Sequence, residues 1–111
     1  MAENANNIEL YWRPGCGFCM GLERGLGRYP DLPIERHNIW EEPESAAFVR
    51  QHANGNEVVP TVRVGSTVMV NPSADEVLRA MAAEMPEQLP EGWTPKEPGR
   101  AAKAIGRLLG D

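Results

Sequence analysis

Apolar positions change period several times along the chain, and each change marks an element. Ile8-Glu9-Leu10-Tyr11-Trp12 is β-prone and apolar at every position but one, the pattern of a strand covered on both faces in the middle of a sheet. Arg13-Pro14-Gly15 then turns the chain, and Cys19, Leu22, Leu26 and Tyr29 follow at spacings of three and four, one inward face of a helix opened by residue 16 and stopped by Pro30. A second strand is placed at Ile34 to Ile39. Glu41-Glu42-Pro43-Glu44 opens a second helix that runs to about Asn54, with Gly55 as its left-handed stop.

Two β-branched runs, Val58 to Val64 and Thr67 to Val70, are separated only by Gly65-Ser66, which predicts an antiparallel hairpin. After Asn71-Pro72, Ser73 and Glu76 match the S-x-x-E capping box, and Val77, Leu78, Met81 and Met85 give a third helix its apolar face. The order is β-α-β-α-β-β-α, in which the first strand, helix and strand form a parallel pair with a right-handed crossover. From Pro86 onward Pro86, Pro90, Pro95 and Pro98 with Gly92 and Gly99 interrupt any periodicity, so residues 86–111 are an extension to a domain of residues 8–85. Residues 1–7 form a polar, disordered tail. A short amphipathic helix over residues 100–109 is expected in the extension, dependent on docking to persist.

Composition narrows the function. A chain of 111 residues supports one small domain, and a formal charge of -5 without a basic cluster excludes a nucleic-acid face. No apolar run approaches the roughly 18 residues of a membrane span, so no membrane partner is expected. The first seven residues carry no feature of a secretory signal, which points to the cytoplasm. There a lone Cys-x-x-Cys reads as catalytic or metal-binding rather than as a structural staple.

The two cysteines, Cys16 and Cys19, lie one turn apart on nearly the same helix face, so their sulfurs can approach each other. The free amides and positive dipole end of a first helical turn stabilise a thiolate. Cys16 is therefore expected to titrate well below the reference thiol value of about 8.5 and to act as nucleophile. Zinc needs four ligands, and only His37 and His52 could complete a set with the cysteines. The spacing lies outside the usual finger pattern, so no metal is assigned.

The element order, the position of Cys-x-x-Cys and the Val59-Pro60 pair at the start of the third strand resemble the glutaredoxin branch of the thioredoxin fold, over residues 8–85. Three stretches, Tyr11 to Cys19, Ile39-Trp40-Glu41-Glu42-Pro43 and Val70-Asn71-Pro72-Ser73-Ala74, look most like the mycoredoxins, glutaredoxin-like proteins that work with mycothiol. The resemblance implies a thiol-disulfide oxidoreductase with Cys16 attacking and Cys19 resolving. It implies a cis peptide bond before Pro60, with the Val59 backbone beside the nucleophile, and Phe18 lining a thiol groove. Arg13 takes the place of a family lysine that attracts the small thiol's carboxylate.

Many glutaredoxins hold glutathione with a Gly pair and an Asp before the third helix. Here that stretch is Asn71-Pro72-Ser73-Ala74-Asp75, so glutathione is disfavoured as co-substrate, while Ser73 and Asp75 remain candidate contacts for another small thiol. No bound cofactor is implied. The partners implied are mycothiol and mycothiolated proteins, with the chain acting as a monomer. Two alternatives stay open: an NrdH-like redoxin recycled by thioredoxin reductase, and a carrier that bridges an iron-sulfur cluster across a dimer through Cys16, which Gly17 permits.

Overall fold

The computed structural model describes residues 7–94, so the helix expected at residues 100–109 and most of the N-terminal tail lie outside the described residues. The elements appear in the expected order: β1 (Ile8–Trp12), α1 (Gly17–Leu26), β2 (Ile34–Asn38), α2 (Pro43–His52), β3 (Thr61–Val64), β4 (Thr67–Val70) and α3 (Ala74–Glu84). A single 3₁₀ turn, Pro86–Gln88, follows. The strands form one sheet in the order β2-β1-β3-β4. β1 pairs in parallel with β2 from Ile8↔Ile34 to Trp12↔Asn38, and antiparallel with β3, which pairs antiparallel with β4.

β1 is thus internal, as its near-continuous apolar run requires, and its alternation sends side chains to two cores. Ile8 and Leu10 join Leu22 and Leu26 of α1, Val62 and Val64 of β3, and Val77, Leu78 and Met81 of α3 in the larger core. Tyr11 belongs to the smaller one with Ile39, Val49 of α2, Val59 and both cysteines. Leu89 and Trp93, beyond α3, pack against the larger core, so the first part of the Pro-rich extension lies on the domain.

Several element ends differ from the sequence expectation, each for a local reason. α1 stops at Leu26 rather than running to Pro30: the Gly27 amide makes a last helical bond, to the Glu23 carbonyl at 2.8 Å, and the Tyr29 amide then closes a tighter turn on the Leu26 carbonyl at 3.0 Å. β3 begins at Thr61, since Val59-Pro60 is a cis bond and Pro60 has no amide for a ladder. β2 ends at Asn38, whose side-chain oxygen accepts from the Trp40 amide and turns the chain. α2 ends at His52, and Gly55, at φ 86°, donates its amide to the Arg50 carbonyl. The predicted capping box is present in full: Ser73 Oγ accepts from the Glu76 amide, and Glu76 Oε1 accepts from the Ser73 amide.

α1 carries Gly21 and Gly25 in its interior, each costing about 1 kcal/mol relative to alanine. Burial of Leu22 and Leu26 contributes roughly 1.5–3 kcal/mol apiece and outweighs them. The two glycines have different surroundings. A Cβ on Gly25 would stand 2.8 Å from the Ala74 Cβ of α3, whereas one on Gly21 would meet nothing within 4 Å. Gly21→Ala is therefore expected to raise the stability by about 0.5–1 kcal/mol. Gly25→Val should lower it by roughly 1–3 kcal/mol by pushing α1 from α3. Urea unfolding of the two variants checks both signs.

Candidate active site

Gly15, at φ 76°, makes the turn out of β1 that delivers Cys16 to the start of α1. Cys16 itself is extended, at φ -90° and ψ 107°, and caps the helix rather than opening it. Its Sγ accepts from the Cys19 amide at 3.0 Å, in the place where a serine or aspartate oxygen would cap a helix, and its carbonyl accepts from Met20 at 3.1 Å. Cys16 and Cys19 form a disulfide with Cα atoms 5.2 Å apart. Both are nearly covered, 5% and 3% exposed, within the smaller core.

Across from α1, the Val59 carbonyl oxygen lies 3.7 Å from Cys16 Sγ, and the Val59-Pro60 bond is cis. This segment is held from both sides. Thr61 Oγ1 donates to the Val58 carbonyl at 2.8 Å, and the Asn71 amide donates to the Pro60 carbonyl at 2.7 Å. Cys16, Cys19, Val59 and Pro60 are thus brought together. Phe18 stands at the rim, 72% exposed.

On the α1 side a cavity of about 340 Å³ opens onto both cysteines and is walled by Trp12, Arg13, Met20, Glu23 and Arg24. Arg13 lies with its Cζ 5.6 Å from the ring centroid of Trp40. Trp40 is 63% exposed. Its position follows from the Ile39 amide donating to the Trp12 carbonyl at 2.9 Å, which ties the β2–α2 turn to the end of β1. Glu23 is engaged by Arg36, whose Nε and Nη2 donate to its carboxylate at 2.7 to 3.1 Å.

Ser73 and Asp75 lie elsewhere. They line a cavity of about 570 Å³ with Gly25, Arg28, Tyr29 and Trp93, whose wall includes neither cysteine. Ser73 is occupied by its helix cap, and Asp75 Oδ2 accepts from Arg79 Nε at 2.7 Å.

Sequence reasoning missed the polar cluster behind Tyr11. His37 Nε2 is 2.6 Å from Glu9 Oε1 and Nδ1 is 2.9 Å from Glu42 Oε1, while Ser45 Oγ donates to the same Glu42 oxygen at 2.7 Å. The parallel register of β1 and β2 sets Tyr11 opposite His37, a pairing that no local sequence pattern announces. The His37 ring stacks on Tyr11 at 4.9 Å, and Tyr11 stacks on Phe48 at 4.8 Å. Burial, then the charge of Glu9, pushes the Tyr11 phenol up to about 12, so it packs against the cysteine pair as a neutral ring. Ligand atoms of Glu9, Glu35 and His37 lie within 4.8 Å of one another and could hold a cation, but only by displacing the His37 proton shared with Glu9. The histidines that zinc would need beside the cysteines are engaged away from them, His52 against Phe48 at 4.6 Å.

A sulfur that caps a helix can carry negative charge as a thiolate, and a second sulfur one turn on can displace whatever the first captures. The chemistry this supports is thiol–disulfide exchange, on a sheet ordered as in thioredoxin-like proteins. Comparison with known sequences gives the group: the chain belongs to the glutaredoxin family, whose family model matches residues 8–69. Mycoredoxin 1 of Corynebacterium glutamicum is 32% identical over 80 residues, covering 70% of this chain and 96% of that protein. The NrdH-redoxin of Escherichia coli, a glutaredoxin-like protein of solved structure, superposes with a TM-score of 0.56 at 26% identity, covering 66% of this chain and 92% of that one. A glutaredoxin from Brucella melitensis shares the fold, with a TM-score of 0.50 at 22% identity, covering 79% and 92% of the two chains. No helix among the described residues is long and apolar enough to cross a membrane.

Burial disfavours the charged imidazole of His37, but its hydrogen bonds to Glu9 and Glu42 outweigh this and raise its pKa. A raised folded-state pKa means the network's stabilisation is full below the unfolded value of about 6.5 and is lost as pH rises through the folded value. His37→Gln is therefore expected to cost about 1–2 kcal/mol at pH 5.5 and distinctly less at pH 8.5. Parallel denaturation curves at the two pH values measure the difference.

Proposed function

We infer that this protein reduces mixed disulfides between protein cysteines and a low-molecular-weight thiol, and that the thiol is mycothiol. The observation that carries the reading is the Cys16 sulfur held as the acceptor of the Cys19 amide at the head of α1. In the reduced protein that amide and the helix dipole favour the thiolate. The thiolate attacks the small-thiol sulfur of the mixed disulfide, forms a Cys16–small-thiol disulfide and expels the substrate cysteine as a thiolate, which takes a proton from solvent. A second small thiol then attacks, leaving as a symmetric disulfide and returning Cys16 to the thiolate. Cys19 can instead attack Cys16, releasing the small thiol and forming the Cys16–Cys19 disulfide, which then needs two electrons from a thiol pair or a reductase.

Arg13, Phe18, Val59 and Pro60 contact the substrate beside Cys16 in this reading, and Ser73 and Asp75 contribute at the start of α3. Mycothiol is supported by the similarity to Mycoredoxin 1 and by Asn71-Pro72-Ser73 standing where glutathione users carry a Gly pair. The protein acts as a cytoplasmic monomer. The second reading is an NrdH-like redoxin recycled by thioredoxin reductase. It is favoured by the buried Cys16–Cys19 disulfide and by likeness to a protein described by a thioredoxin-like activity profile.

Cys16→Ser is expected to abolish reduction of a mycothiolated peptide. Cys19→Ser should retain turnover within about tenfold of the parent when mycothiol is the reductant. Equal loss in the two variants, or turnover only with thioredoxin reductase, would replace the small-thiol route by the second reading.

A further inference from the structure

We propose that Thr61 is a positioning residue of this site: its buried hydroxyl holds the Val58 carbonyl and thereby aims the main-chain groups of Val59 at the amides of an incoming thiol. The inference rests on the exchange reading above, in which Val59 contacts the substrate, and adds to it the residue that fixes Val59.

Thr61 opens β3 and is set in the sheet opposite Tyr11 of β1 and Val70 of β4. It is fully buried, so its hydroxyl needs a partner within the protein, and Oγ1 donates to the Val58 carbonyl at 2.8 Å. The Val58 carbonyl and the Val59 N–H belong to one planar trans peptide unit and point in opposite directions. A bond that fixes the first therefore aims the second away from the buried hydroxyl. On the other side of Val59, the Pro60 carbonyl accepts from the Asn71 amide at 2.7 Å, with Asn71 at φ 56° just past the end of β4.

The carbonyls that flank Val59 are thus both engaged, and the groups of Val59 itself are left. Among the described residues no hydrogen bond engages the Val59 N–H, and the Val59 carbonyl oxygen stands 3.7 Å from Cys16 Sγ. One donor and one acceptor of the same residue therefore lie beside the reacting sulfur, the complement of a cysteinyl unit that carries an amide on each side. A thiol without amides gains nothing from this pair. Without the Thr61 hydroxyl, the Val58 carbonyl needs another donor, and meeting one turns the peptide unit it shares with the Val59 N–H.

The test uses two uncharged symmetric disulfides, that of N-acetylcysteine methylamide and that of 2-mercaptoethanol. Each is reacted in excess with the reduced full-length protein, and the half-saturating concentration and limiting rate are measured. The wild-type protein should half-saturate at a concentration about 5-fold lower with the amide-bearing disulfide. Thr61→Val keeps the branched shape and removes the hydroxyl. It should bring that ratio to within about twofold of unity, through the half-saturating concentration rather than the limiting rate, and Thr61→Ser should restore most of the preference. Because the ratio compares two substrates on one protein, a reduced folded fraction cancels from it. The assignment is overturned if wild type shows no preference, if Thr61→Val retains it, or if Thr61→Ser loses it as Thr61→Val does. If neither disulfide reacts with wild type, the exchange reading itself fails; reaction of both with the preference intact in Thr61→Val removes the role of Thr61 alone.

Discussion

One hydrogen bond, from the Cys19 amide to the Cys16 sulfur, sets what the rest of the chain must supply. A helix's first amides have no partner within the helix, and a sulfur placed to accept from one of them gains most when it is ionised. That placement demands an extended residue at the cap and a left-handed residue before it. Gly15 meets the second demand and Cys16 the first. It also demands a helix whose start does not fray. Glycine-rich α1 lacks the propensity to ensure that, so the anchoring comes from Leu22 and Leu26 in the larger core, and from Gly25 lying against Ala74.

The cysteines stand where the two cores meet. α1 and α3 cover one face of the sheet, while Tyr11, Ile39, Val49 and Val59 form the smaller core on which the sulfurs lie. That smaller core is closed by polar chemistry. Ser45, Glu42, His37 and Glu9 join the start of α2 to the β1 and β2 strands, and Tyr11 is stacked between His37 and Phe48. Loss of the His37 proton therefore acts on the packing beneath the disulfide rather than on the sulfurs directly, which makes exchange and stability respond to pH through different groups.

Much of this was legible in the residues. The element order, the internal position of β1, the hairpin at Gly65-Ser66, the capping box at Ser73 and the helical placement of the cysteines all follow from local period and turn chemistry, which act over a few positions. Element ends were less legible, because they depend on which amide a neighbouring carbonyl captures, as Gly27 shows. Side-chain contacts between distant positions were legible only where the family resemblance supplied them, as for Val59 beside Cys16. Nothing local announces that Trp40 emerges beside Arg13, that Arg24 shares a cavity with Cys16, or that Glu42 and Glu9 reach the same histidine. Ser73 and Asp75, whose sequence position suggested the thiol groove, each make a hydrogen bond along the helix they begin and line a cavity shared with Trp93.

The distribution of charge connects these observations. An acidic protein repels anionic thiols at long range, but repulsion beyond about 10 Å is screened at ordinary ionic strength, so the groups lining the cavity dominate at contact. There the Arg36–Glu23 pair matters as much as Arg13 and Arg24. Without Arg36, Glu23 would stand as an unneutralised carboxylate on the same wall and cancel one guanidinium. With it, two positive groups are left facing the cavity beside Cys16. A salt bridge between a strand and a helix, unremarkable as a contribution to stability, thereby offsets the carboxylate that lines the cavity beside the cysteines.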